Sequence, residues 1–204
     1  MEFLLEDYVR SRARSSVKAT GMSARRMLER QATSALPHYD VFLSQAIRDE
    51  DLVLGVYSIL TEDLGLSVFC DWLLASQADH SGTTPADAEH IRRMMLASTA
   101  LIFIDSEHSK SSTWMSWEIG WFHGAKRRVC VLPVVRSEGS PHRGREFLGL
   151  YPAVEEDDRF TLRVPARIAD IAARFPPGTP LGLATSMPLR LWATAEALPD
   201  IFLA

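Results

Sequence analysis

Short apolar runs alternate with helical patterns through the middle of the chain. The runs are Tyr39 to Leu43, Leu66 to Cys70, Thr99 to Ile104 and Val129 to Val135. The segments between them, at 49–64, from Pro85 onward and at 112–124, repeat apolar residues at helical spacing, with Gly65 and Gly124 as expected helix ends. Strands that are apolar throughout are typical of a parallel sheet covered on both faces. The pattern predicts a doubly wound α/β fold that binds ligands beyond the carboxyl ends of its strands.

Weaker patterns flank this region. Residues 1–36 are helix-like and locally basic, with Gly21 dividing two helices and Ser23 as the N-cap of the second. Further on, Phe160 to Val164 suggests a fifth strand and Pro165 to Phe175 a last helix. We therefore predict an N-terminal helical extension at 1–36, a main domain at 37–175 and a C-terminal tail at 176–204.

Composition narrows the classes of function. A net charge of -4 over 204 residues argues against a nucleic-acid binder with a broad basic face. No apolar run is long enough for a membrane span, and the acidic N-terminus is unlike a signal peptide. Cys70 and Cys130 lie in apolar runs and are expected to be buried, reduced thiols. A cytoplasmic protein with neither nucleic acid nor membrane as a partner is the simplest interpretation.

Polar residues follow the first two predicted strands. Ser44 and Gln45, before a helix start, could hold a phosphate or ribose, although a helix cap is the more common role of such residues. Asp71 and Trp72 could bind ribose hydroxyls and stack on a heterocycle, or could simply be a loop acid beside a core-edge ring.

The passage after the third strand is the most unusual. Residues 105–117 read DSEHSKSSTWMSW, and Glu118 follows. On a helix Trp114 lies one turn before Glu118 on the same face. Large apolar rings desolvate a carboxylate, which tends to raise its pKa and suits it to a sugar hydroxyl or to developing positive charge. A solvated helix acid is the alternative for Glu118 alone.

Several site classes are absent from the sequence. The six histidines are scattered and show no metal-ligand spacing, so no metal site is predicted. There is no P-loop, no dinucleotide-binding glycine motif and no nucleophile elbow. No bound cofactor is predicted.

Taken in order, the pieces resemble the TIR (Toll/interleukin-1 receptor) domain family, and its bacterial branch in particular. The resemblance rests on YDVFLS (39–44), GLSVFCD (65–71), the strand from Ser98 to Ile104, the serine-rich W-x-x-x-E element ending at Glu118, and VLPV (131–134). It covers roughly half of the chain and implies a flavodoxin-like fold. The segment from Trp72 to Thr84 differs from the corresponding loop of many receptor TIR domains.

In enzymatic TIR domains the glutamate of this element cleaves the nicotinamide–ribose bond of NAD+. The resemblance therefore implies Glu118 as the catalytic residue, with Ser44, Gln45, Asp71, Trp72 and Trp114 lining the pocket and NAD+ as substrate. It further implies hydrolysis to ADP-ribose or cyclisation to a signal molecule, in anti-phage defence of the Thoeris type. Association between TIR domains and a downstream effector that responds to the product are the implied partners.

Two alternatives stay open from the sequence. The chain could be a non-catalytic TIR module that assembles with other TIR domains. It could also be an enzyme like the nucleoside deoxyribosyltransferases, which have a related α/β layout and use a glutamate at an N-glycosidic bond.

Overall fold

The main sheet has five strands. The computed structural model describes residues 2–32, 36–46, 49–70, 72, 84–107, 109, 112–140, 146–167 and 185–204. The strands are β1 (Leu4–Leu5), β2 (Tyr39–Ser44), β3 (Val68–Phe69), β4 (Ser98–Asp105) and β5 (Val129–Val135). All their pairings are parallel, and their order is β1-β5-β4-β2-β3. The four strands predicted from the apolar runs are confirmed.

Helices cover both faces of this sheet, as predicted for a doubly wound fold. Along β4, Ile102 packs into a core with α1 (Glu6–Thr20), α2 (Ala24–Ala32) and α3 (Glu50–Ser58). A π-helical turn at Ile59–Asp63 continues α3. Phe103, the next residue of β4, packs into the opposite core with α4 (Pro85–Leu96) and α5 (Thr113–Lys126). Because side chains alternate along a strand, each apolar run supplies both cores.

The N-terminal zone has the two helices expected, and it also supplies a strand. Gly21 has φ 69° and ends α1, while Ser23 Oγ accepts a hydrogen bond from Arg26 N–H, as its N-cap role predicts. Ahead of α1, Leu4 pairs with Val134, so β1 occupies the outer place beside β5.

The predicted fifth strand lies elsewhere. β7 (Leu162–Pro165) belongs to a separate antiparallel sheet, between β6 (Glu155–Glu156) and β8 (Ser186–Pro188). At the edge of β5, β1 pairs with Val134 and Val135, and Ala153 forms a parallel bridge with Val131. The predicted start of the last helix at Pro165 is wrong, because Pro165 ends β7 and Ala166 and Arg167 are not helical; residues 168–175 lie outside the described residues. Beyond β8 come α6 (Leu189–Thr194) and a 3-10 turn at Asp200–Phe202, and another 3-10 turn occupies Glu146–Leu150.

The predicted end of α5 at Gly124 is wrong. The helix continues to Lys126 and ends at Arg127, which has φ 57° and donates its N–H to His123 O. Arg127 Nε also donates to Ala204 O at 2.9 Å, a tertiary contact that helps to hold this left-handed residue. No helix in the described ranges is long and apolar enough to cross a membrane.

Candidate active site

A buried hydrogen bond joins the first strand of the apolar pattern to the glutamate of the W-x-x-x-E element. Ser44 Oγ donates to Glu118 Oε2 at 2.6 Å. Ser44 is the last residue of β2, and both side chains are almost completely buried. A hydrogen bond to a carboxylate in a dry environment is short and strong, so it fixes the orientation of the carboxyl group. The pair lies at the carboxyl edge of the sheet, where doubly wound folds bind ligands.

The sequence of α5 explains why Glu118 points inward. The helix starts at the N-cap Ser112, whose Oγ accepts Met115 N–H at 3.3 Å. Met115, Ile119 and Phe122 then form its buried stripe at helical spacing, and Glu118 lies within that stripe. A solvated helix acid, the alternative from sequence, does not fit this burial. A carboxylate in an apolar stripe is instead a candidate functional group.

Two tryptophans lie on the same helix close to this carboxylate. Trp114 is half-buried one turn before Glu118 and packs against the core on the α5 side of the sheet. Its ring centroid is 4.9 Å from that of Trp117, with the two planes 33° apart. Flat aromatic surfaces of this kind can contact a ribose or a heterocycle.

Asp105 and Ser109 are buried polar residues near the carboxyl end of β4 that sequence reasoning did not select. Ser109 Oγ donates to Asp105 Oδ1 at 2.9 Å and accepts Ser106 N–H at 3.1 Å. By strand alternation Asp105 follows Leu101 and Phe103 on the face that α5 covers. The signal that could have identified Asp105 was present, because it directly follows an apolar run at a carboxyl strand end.

Of the other predicted pocket residues, one lies beside Ser44 and one lies in the opposite core. Gln45 directly follows Ser44 and is buried. Trp72 is also buried, but it belongs to the core on the α1 and α3 side of the sheet, opposite to Met115 and Phe122. Asp71 lies outside the described residues. The structure thus brings Ser44, Gln45, Trp114 and Glu118 to one region and places Trp72 in the other core.

Among the described residues, no group of three or more His, Cys, Asp or Glu could hold a metal ion. Cys70 and Cys130 are buried and form no disulfide, as predicted, and burial raises the pKa of the Cys130 thiol. The described residues of the site provide a buried carboxylate that is oriented by a hydroxyl group.

Comparison with known proteins finds similarity over part of the chain. No family model matches the chain. Over 117 residues it is 41% identical to a protein of Bacillus cereus (strain MSX-D12) named probable 3' cyclic ADP-D-ribose synthase ThsB', a TIR protein. Over this aligned region the chain is similar to a bacterial TIR protein. The predicted resemblance to bacterial TIR proteins is confirmed over the aligned region, and the five-stranded parallel sheet confirms the predicted doubly wound α/β fold class.

The extent of these similarities is partial. The alignment with the Bacillus cereus protein spans 57% of this chain and 60% of that relative, which is less than two thirds of its length. A solved TIR domain, that of the Toll-related receptor TRR-2 from Hydra magnipapillata, is 19% identical and has a TM-score of 0.39. That similarity covers 56% of this chain and 83% of the receptor domain.

Proposed function

We propose that this TIR protein cleaves the nicotinamide–ribose bond of NAD+, with Glu118 as its catalytic residue. The observation that carries the proposal is the buried hydrogen bond of 2.6 Å between Ser44 and Glu118 at the carboxyl edge of the sheet. The name of the Bacillus cereus relative, a probable 3' cyclic ADP-D-ribose synthase, supports the same substrate class.

The charges of the reaction suit this carboxylate. The nicotinamide ring of NAD+ carries a positive charge, which is lost when the C1'–N bond breaks and both bonding electrons go to the ring nitrogen. The leaving group is neutral and needs no general acid. Positive charge develops on the ribose carbon instead, and a carboxylate fixed by Ser44 stabilises it electrostatically.

The proposed roles of the remaining residues follow from their positions. Trp114 supplies an apolar surface near Glu118, and Gln45 lies at the start of the loop after β2. Asp71 and Trp72 remain predicted pocket residues, and Trp72 packs in the core on the α1 and α3 side of the sheet.

Two products are compatible with this first step. If water attacks the ribose carbon, the product is ADP-ribose and a proton is released. If a nucleophile of the same ADP-ribose unit attacks, a cyclic product forms. The relative's name favours cyclisation. A cytoplasmic defence role, with self-association and an effector that responds to the product, completes the proposal.

Nicotinamide release by the purified chain, followed by chromatography, tests the proposal. Glu118→Gln keeps the size of the side chain and its ability to accept from Ser44 but removes the charge. We expect it to lower the rate by about 100-fold or more, as loss of a preorganised charge at a transition state does. Unchanged release in this variant would overturn the assignment, and mass spectrometry of the wild-type products separates hydrolysis from cyclisation.

The test also separates the alternatives. Wild-type protein that leaves NAD+ intact yet binds another TIR domain would support the interaction module. Transfer of deoxyribose to a free base would support the deoxyribosyltransferase-like enzyme.

A further inference from the structure

The N-terminal helix α1 holds the beginning of α3 through Arg10 and Asp49. Arg10 Nη1 donates to Asp49 Oδ1 at 2.8 Å, and Nη2 pairs with Asp49 Oδ2. Two parallel contacts between a guanidinium and a carboxylate restrict both distance and orientation. The pair is only partly exposed to solvent, with 26% of the Arg10 side chain and 10% of the Asp49 side chain accessible.

Asp49 lies close in sequence to the candidate active site. Ser44 ends β2 and binds Glu118, and Asp49 is the N-cap of α3, where its Oδ1 accepts Leu52 N–H at 3.2 Å. Only the residues from Gln45 to 48 separate Ser44 from Asp49. A displacement of Asp49 therefore reaches Gln45 and Ser44 through a very short segment of chain.

Further contacts keep Arg10 in place. Glu6, one turn earlier on α1, accepts a hydrogen bond from Arg10 Nε at 2.9 Å. The carboxylates of Asp49 and Glu6 raise the pKa of Arg10, so that it stays charged.

The helices α1 and α3 approach very closely, because a Cβ atom at Gly55 would lie 2.1 Å from Val9 O. The N-terminal helix is thus a rigid support for α3 rather than a loosely attached extension.

We infer that Arg10 is a positioning residue for the NAD+ site: its paired contacts hold Asp49, the N-cap of α3, which follows Ser44 closely in sequence. This inference rests on the proposed function. The N-terminal zone lies outside the W-x-x-x-E element. Through Asp49 it would nevertheless affect the geometry around Ser44 and Glu118.

The chain provides a matched control on the same helix. Arg12 of α1 forms ion pairs with Asp63 at 2.7 Å and with Glu62 at 3.1 Å. These two acids lie in the π-helical turn after the C-terminus of α3, whereas Asp49 lies at its N-terminus. Arg10→Gln and Arg12→Gln each remove one positive charge and one link between the same two elements. Only the first removes a link at the loop that starts at the site.

Two measurements on the full chain test the inference. We expect Arg10→Gln to lower kcat/KM for NAD+ by about tenfold and Arg12→Gln by less than about twofold, because small displacements of catalytic groups are costly. Amide hydrogen exchange in the peptide covering residues 44–52 should become faster in Arg10→Gln and stay unchanged in Arg12→Gln. Asp49→Asn, which retains the helix cap, should reproduce the effect of Arg10→Gln, and the double variant should be no worse than either.

The outcomes are distinguishable from failure of the proposed function. If wild-type protein does not cleave NAD+, the proposed function fails, while the exchange measurement still tests the support of the loop by Arg10. If wild-type protein is active but both arginine variants lose activity in proportion to their loss of unfolding free energy, the positioning role is overturned. Unchanged exchange in Arg10→Gln also overturns it.

Discussion

The side chains of Ser44 and Glu118 are 74 positions apart in sequence and form a hydrogen bond of 2.6 Å. The bond connects the end of β2 to the second turn of α5, two elements that pack on each other at the carboxyl edge of the sheet. If Glu118 acts on the ribose of NAD+, this bond determines which way its carboxylate faces.

Removal of the hydroxyl at position 44 should therefore impair turnover more than folding. Ser58 is an equally buried serine that pairs with Ser16 Oγ at 3.0 Å on the other side of the sheet. We expect Ser44→Ala to lower kcat by about tenfold or more, and both Ser44→Ala and Ser58→Ala to cost about 1 kcal/mol of unfolding free energy. Steady-state kinetics and denaturant unfolding of both variants check this. If Ser44→Ala and Ser58→Ala have the same kcat, Ser44 has no role in orienting Glu118.

The strands could be predicted because each is a local apolar run, and the doubly wound arrangement follows from their alternation with helices. β1 could not be predicted in the same way, because Leu4 and Leu5 form only a two-residue strand beside acidic neighbours. Its place in the sheet depends on contact with β5, about 130 residues later. The other two-residue strand of the main sheet, β3, could be predicted because it lies within the longer apolar run from Leu66 to Cys70.

The candidate site could be predicted only where the local sequence marks it. Glu118 could be selected because it lies beside two tryptophans, and its burial is consistent with its place in the apolar stripe of α5. The partnership with Ser44 is set by tertiary packing, which spacing does not encode. Trp72 illustrates the opposite case: its position after a strand is compatible with either core, and packing places it with the α3 side.

The close approach of α1 and α3 predicts opposite effects for two glycine substitutions. A Cβ atom at Gly55 would lie 2.1 Å from Val9 O, a backbone atom that cannot move aside alone. Gly120 is exposed within α5 and has no atom within 4 Å of a Cβ position. We expect Gly55→Ala to lower the free energy of unfolding by more than about 2 kcal/mol and Gly120→Ala to raise it by about 0.5 to 1 kcal/mol. Thermal and denaturant unfolding measure both, and a neutral Gly55→Ala would show that α1 does not pack on α3 this closely.

Glu156 predicts a pH-dependent stability. Burial, followed by the nearby charges of Glu2 and Asp157, raises the pKa of its carboxyl group above 4.5. The folded chain thus binds this proton more tightly than the unfolded chain, so ionisation of Glu156 lowers stability as the pH rises through its folded pKa. Glu156→Gln should raise the melting temperature at pH 7, and the gain should disappear below pH 4.5, where the carboxyl group is protonated in both states. Glu155→Gln removes the same charge one residue away as a control, and a gain that persists at acid pH would contradict the electrostatic cause.

Phe160 combines two unfavourable properties at one position. It has φ 57°, in the left-handed region, and its side chain is 84% exposed at the turn between β6 and β7. The turn is fixed by Asp157, whose carboxylate accepts Arg159 N–H at 2.9 Å and Thr161 N–H at 3.0 Å. Asparagine tolerates this backbone conformation better than phenylalanine does, so Phe160→Asn should raise the free energy of unfolding by about 0.5 to 1 kcal/mol. Phe160→Ala removes the same exposed ring without relieving the backbone, so an equal gain in both variants would assign the effect to the ring and not to the conformation.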